Sequence, residues 1–276
     1  MNRMKYLVIL FLLTSCITSK KEDKEQVAED RVKLEIITTK GNILVELYNE
    51  TPLHRDNFLK LVKENFYDSL LFHRVIDDFI IQTGDPNSLD AQPGQQLGYG
   101  DLDYLIQSEI VDTIFHKRGS LSAAHDGNID FYSSAAQFVI VQKGPVPDSS
   151  FIKMENWINK NLKLYNFFHA DSNTTLYNKT QKAYKEHDWE LYDQLYDSVR
   201  NINDSEENLN FYRFPEEHKT YYRKYGGTPF NDRLYTVFGE VITGMNIVDS
   251  IAKVATDNND RPVSDIRIIS IKVLNR

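Results

Sequence analysis

The stretch FHRVIDDFIIQTGDP, Phe72–Pro86, sets the frame for the rest of the chain. Leu71–Ile76 and Phe79–Thr83 are apolar runs of strand length, rich in Val, Ile and Phe. Asp77-Asp78 between them reads as a turn rather than as an acid–base pair. In a strand, successive side chains point to opposite faces, so His73 and Arg74 face apart and His73 takes a structural role. Beyond Thr83, residues Asp85–Asp103 are rich in Gly, Pro and Asp and read as loop.

Working outward, Val32–Thr38 and Asn42–Tyr48 alternate apolar with polar residues and are joined by Thr39-Lys40-Gly41, a hairpin pattern. Thr51-Pro52 opens a helix, with Pro at its first position and Thr as N-cap, and Phe58, Leu59, Leu61 and Val62 give it an apolar stripe. Further short strands are expected at Ser120–Ala124, Ala136–Gln142, Tyr235–Phe238 and Ile266–Leu274, and a helix at Met245–Ile251 with Gly244 near its start. Many short strands with few helices imply an antiparallel barrel or sandwich.

Residues 146–228 interrupt this pattern. Phe151, Met154, Ile158, Leu162 and Tyr165 recur at helical spacing, as do Leu191, Leu195, Tyr196 and Val199. Pro215 to Tyr225, closed by Gly226-Gly227, reads as a third helix, and Asn201–Asn210 as loop. The aromatic stripe is expected to serve packing rather than a ligand.

The chain has 276 residues, a formal charge of −8 and a pI near 5.4, with no basic stripe, so nucleic acid is not an expected partner. The single cysteine, Cys16, excludes an internal disulfide framework. No HExxH or paired-Cys spacing marks a metal site, and no GxSxG accompanies Ser133-Ser134, so neither metal nor cofactor is expected. His54, His116 and His125 form no recognisable ligand set. Met1–Ser15 has Arg3 and Lys5 before a short apolar run, the pattern of an export signal, too short to span a bilayer permanently. Leu13-Thr14-Ser15-Cys16 resembles the bacterial lipobox, in which the cysteine thiol takes up a diacylglycerol. The expected order is a signal peptide over 1–15, a lipidated disordered tether over 16–31, and a folded part over 32–276 interrupted at 146–228. The expected site is the cell envelope, with the membrane held through Cys16 facing the periplasm or at the outer membrane.

Gly41–Tyr48, Pro52–Phe58, Phe72–Ile76 running into Phe79–Pro86, Arg118–Ala124, Ala136–Ile140 and Tyr235–Val241 (YTVFGEV) are colinear with the cyclophilin family, which the chain resembles from about Val32 to Leu274. The insertion, with Gly226-Gly-Thr-Pro-Phe230 just before YTVFGEV, is similar to that of a Bacteroidetes-type lipoprotein subgroup. The resemblance implies a mainly β fold, a closed eight-stranded antiparallel barrel capped by two helices, and peptidyl-prolyl cis-trans isomerase activity on proline-containing polypeptides. A monomer is expected.

The resemblance also implies roles. Arg74 corresponds to the catalytic arginine, and Gln82 and Gln137 to glutamines that orient it and bind substrate backbone. Phe79 and Ile80 match apolar residues that grip the proline ring, and Ala124 and His125 the strand beside the substrate. Tyr235 lies at the pocket rim. Val139, Phe230 and Asn231 stand where Phe, Trp and Leu are common, which implies a shallower, more polar pocket. Rotation about X–Pro meets a barrier near 20 kcal/mol from amide resonance, so a catalyst needs only to bind the twisted amide better than the planar forms. A rate gain of about 10⁵ takes about 7 kcal/mol of such preference. A non-catalytic protein-binding module or scaffold lipoprotein is the alternative, favoured by Val139 and Asn231.

Overall fold

The computed structural model describes residues 30–203 and 212–275. The expected signal segment, Cys16 and the tether through residue 29 lie outside the described residues, as does most of the expected loop Asn201–Asn210.

Strands β1 (Lys33–Thr38) and β2 (Gly41–Leu47) form the expected hairpin, with Ile36 opposite Ile43 and Thr38 opposite Gly41. Their alternation sends Leu34, Ile36, Ile43, Val45 and Leu47 fully inside. Ordered contacts begin one residue earlier than expected. The Arg31 guanidinium donates to Glu46 and Glu50, both at 2.9 Å, and lies 4.3 Å over the Tyr48 ring. Helix α1 (Pro52–Lys63) buries Phe58, Leu59, Leu61 and Val62. Thr51 does not cap it. The Thr51 side chain is fully buried and makes no cap hydrogen bond. The Glu109 carboxylate accepts instead from the backbone N–H groups of Leu53 (3.0 Å) and His54 (2.9 Å), and bonds His54 Nδ1 at 2.7 Å. A carboxylate also complements the helix dipole, which a hydroxyl does not.

Next come β3 (Arg74–Ile76), β4 (Ile80–Thr83), β5 (Leu105–Ile106), β6 (Ser120–Ala123), β7 (Ser133–Ser134) and β8 (Phe138–Val141). The insertion contributes helices α2 (Phe151–Phe168), α3 (Thr174–Lys185), α4 (Trp189–Asn203) and α5 (Glu216–Tyr225). The chain returns through β9 (Val237–Thr243), α6 (Met245–Ala252) and β10 (Ile268–Asn275). Eight strands make one antiparallel sheet in the order β10-β1-β2-β9-β6-β8-β4-β3. Its two ends meet without a regular ladder: Ser69 N–H donates to the Ile268 carbonyl (2.8 Å) and Phe72 N–H to the Ile266 carbonyl (2.9 Å). The fold is thus mainly β, a barrel capped by α1 and α6, as expected. Strand edges differ where backbone groups leave the ladder. Tyr235 lies outside β9 because its N–H turns back to the Asn231 carbonyl at 3.1 Å.

Three helices were expected in the insertion, and α3 is an addition. Its buried face is Thr180 and Ala183, flanked by half-buried Leu176 and Tyr184, so its sequence carries little apolar signal. Residues 201–203, expected as loop, finish α4.

Candidate functional site

Antiparallel pairing sets Arg74 opposite Gln82, and Gln82 opposite Val139. Directly opposed residues share a sheet face, so these three stand side by side on the outer surface of the barrel. Ile76, Ile80 and Val141 form the neighbouring row. Arg74 Nη1 donates to Gln82 Oε1 at 3.4 Å, and Gln82 Nε2 donates to Gln137 Oε1 at 2.9 Å. Gln137 Nε2 then donates to the carbonyls of Gly98 (3.1 Å) and Gly100 (2.6 Å). The direction of this relay is fixed at both ends. A guanidinium only donates and a backbone carbonyl only accepts, so both amides must present oxygen toward Arg74. The guanidinium is also 3.7 Å from Asp260, and its side chain is 40% exposed, leaving donors toward solvent.

Phe79 and Phe230 stand with ring centroids 5.8 Å apart, and Ile80 and Val139 are buried beside the relay. Tyr235 packs on His125 with centroids 4.0 Å apart. Burial pushes the Tyr235 phenol up, with Arg74 opposing. Burial pushes the His125 imidazole down to about 4, so the ring is neutral at pH 7; its Nδ1 accepts from the Gly127 N–H at 2.8 Å. His73 is buried against Gly98 and is likewise pushed down to about 4, mainly by burial.

Seven of the expected residues line two cavities, and Arg74, Phe79, Ile80 and Val139 line neither of them. Gln82, Ala124, His125 and Gln137 line a groove of about 430 Å³. His125, Phe230, Asn231 and Tyr235 line a second cavity of about 230 Å³, closed on its far side by α2 and α4. Two details depart from expectation. The Ala124 N–H is taken by the Gln137 carbonyl (3.0 Å), so that donor serves the fold rather than a passing strand. The Asn231 amide turns back to the Thr228 hydroxyl at 3.4 Å, so its polarity is directed into its own turn.

Sequence reading missed Asp260, the carbonyls of Gly98 and Gly100, and the helices against the groove loop. Asp130 accepts from His169 (2.8 Å), Tyr177 (3.0 Å) and Gln181, which ties the loop after β6 to α2 and α3. Another arrangement has the look of a hydrolytic triad. His116 Nε2 is 3.1 Å from Ser122 Oγ, and its Nδ1 is 2.8 Å from Asp232. All three side chains are buried, at 1%, 1% and 4% exposure, and the Tyr222 hydroxyl donates to the same carboxylate. The cluster is a clamp joining β6, the turn before β9 and α5.

The family model described as cyclophilin type peptidyl-prolyl cis-trans isomerase/CLD matches residues 33–169 and 200–273. The chain belongs to the cyclophilin-type peptidyl-prolyl cis-trans isomerases. The gap in the match, 170–199, covers α3 and most of α4. A Staphylococcus haemolyticus protein provisionally named a peptidyl-prolyl cis-trans isomerase is 26% identical over 258 residues, covering 93% of this chain and 98% of its own. A Streptococcus pyogenes protein provisionally named a bifunctional phosphatase/peptidyl-prolyl cis-trans isomerase is 28% identical over 244 residues. That alignment spans 87% of this chain but only 38% of the streptococcal protein. The crystal structure of a Cryptosporidium parvum cyclophilin type isomerase superposes with a TM-score of 0.52 at 19% identity, covering 90% of this chain and 99% of the other. That likeness concerns the fold.

Proposed function

We propose that this cyclophilin-type isomerase turns X–Pro bonds in exported polypeptides, with Arg74 as the group that stabilises the twisted amide. The observation that carries the reading is the relay of fixed direction from Gly98 and Gly100 through Gln137 and Gln82 to Arg74. It holds a guanidinium at the edge of an apolar patch made by Phe79, Ile80, Val139 and Phe230. When the amide twists, the prolyl nitrogen becomes pyramidal and its lone pair leaves conjugation. A donor placed there binds the twisted form and has little to bind in the planar one. No nucleophile or cofactor is needed. The same fold in Cryptosporidium parvum has been crystallised in the presence of the dipeptide Ala-Pro, which supports a proline-containing polypeptide as the substrate class here.

The test is proline-limited refolding of a standard substrate by the full chain and by Arg74→Ala. The variant is expected to lose about 10²–10³ in kcat/KM, about 3–4 kcal/mol of transition-state stabilisation. A second reading is a protein-binding module without catalysis, favoured by the contact of Arg74 with Asp260 at 3.7 Å, which competes for the guanidinium. Equal rates for both proteins at the uncatalysed level would select it.

The place of action we propose is the cell envelope, through lipidation of Cys16 in the sequence Leu13-Thr-Ser-Cys16. More than one acyl chain at that terminus would give stable anchoring. Cells fed a radiolabelled fatty acid should label the chain and hold it in the membrane fraction. Label retained by Cys16→Ser would remove this placement.

A further inference from the structure

The groove that holds Gln82 and Gln137 does not end at the barrel. Its far wall is built by the insertion, with Tyr184 from α3 and Trp189, Tyr192 and Asp193 from α4. The barrel side adds Asp101 and Asp126. Among the described residues that line it there are three carboxylates and no lysine or arginine. The rings are set as a cluster, with centroids 5.6 Å apart for Tyr184 and Trp189 and 5.7 Å for Tyr184 and Tyr192. The wall is tied to the groove loop, since the Tyr184 hydroxyl donates to Asp126 at 2.6 Å. Trp189 keeps 48% of its surface exposed, so a large aromatic side chain remains open to a ligand.

This chemistry selects a cation. The face of an aromatic ring attracts ammonium and guanidinium groups, most strongly for Trp. Carboxylates within a few ångströms add attraction, and a concave, partly dehydrated wall strengthens it relative to open surface. An acidic side chain in the same place meets repulsion from three carboxylates, and an apolar one gains only the rings. We propose that α3 and α4 give this isomerase a subsite for a lysine or arginine side chain close to the substrate proline, so that the insertion sets substrate preference. The proposal rests on the groove being the one that receives the polypeptide. It assigns selection to residues 184–193, which lie inside the segment that the family model leaves unmatched.

The experiment uses the full chain and a set of single-proline peptides. Each carries Lys, Ala or Glu at one of three positions on either side of the proline. Kd is measured by calorimetry, and cis–trans exchange of the Ala peptides by NMR. At one placement or more, the Lys peptide should bind about tenfold tighter than its Glu counterpart, with Ala between them. Asp193→Lys should abolish or reverse that order while leaving the Ala peptides unchanged in Kd and exchange. Trp189→Ala should weaken the Lys peptide and spare the Glu peptide. Equal Kd for Lys and Glu at every placement, or a preference untouched in Asp193→Lys, overturns the subsite. If the Ala peptides bind and exchange normally, that result removes the subsite alone. If no peptide binds, both the subsite and the reading of the groove fall together.

Discussion

Around Phe58 the barrel packs Tyr67, Phe138 and Phe238 at centroid distances of 5.0, 5.3 and 5.4 Å, and among the described residues its core takes no member from 146–228. The insertion is built differently. The cluster of Leu164, Phe168, Ala183, Tyr192 and Val199 includes Ile129, which belongs to the barrel loop after β6. The second cluster, around Phe151, Ile158 and Tyr222, includes Leu234 from the turn before β9. The main core of the barrel is therefore made by barrel residues alone, whereas each insertion cluster is completed by a barrel side chain. Those two side chains flank the candidate site, Ile129 four residues after His125 and Leu234 beside Tyr235. Docking the insertion and shaping the site are one set of contacts.

The largest expected effect separates the regions by stability. Phe138→Ala removes a ring at the centre of the barrel cluster and should cost about 3–5 kcal/mol. Urea unfolding should show that loss, and hydrogen exchange should show it everywhere, because the insertion has no complete core to retain. Ile129→Ala should cost about 2–4 kcal/mol, with the loss confined. Amides of α3 and α4 should exchange faster while those of β1, β2 and β9 keep their protection. If Ile129→Ala instead weakened the barrel strands equally, the seam would belong to one cooperative unit and the contrast would dissolve.

How far the sequence shows these features follows from the range of the forces. The β1–β2 hairpin and α1 are legible because period-2 and period-3.6 patterns are written in adjacent residues. Arg74 and Gln82 are legible through family resemblance, and a short two-strand register then brings them together. Helix α3 is not legible, because its buried face is only Thr180 and Ala183, two small side chains that make no apolar stripe. The capping of α1 by Glu109 is not legible either, since the carboxylate is 55 residues from His54 and only the closed barrel brings it there. The same holds for Asp260 at Arg74 and for Trp189 and Asp193 in the groove that Gln137 lines. A loop carboxylate has no periodicity, so its partner appears only when the tertiary path is known.

The smallest expected effect compares the regions by acid. His73, 3% exposed beneath the groove, is held down to about 4, mainly by burial, while an unfolded histidine titrates near 6.5. Below pH 6.5 the unfolded chain binds a proton that the native ring refuses, so stability falls as pH drops from 6.5 toward 4. Between pH 6.5 and 4.5 His73 alone accounts for roughly 2–3 kcal/mol. His125 adds to the barrel side with the same sign. On the insertion, burial also lowers His218, by a smaller shift. Its Glu155 acts later. Burial works against ionisation there, but Arg213, the Phe214 N–H and Lys219 outweigh it and hold the carboxyl below its usual value. That contribution is complete above about pH 4.5 and is lost only as pH falls further. The barrel should therefore weaken first on acidification. Urea midpoints measured from pH 7 to 3.5 should fall more gently between 6.5 and 4.5 in His73→Gln, while Glu155→Gln should change the slope only below 4.5. A His73→Gln curve parallel to the wild type would mean that the buried imidazole takes up its proton without cost, and the barrel would lose its distinct acid sensitivity.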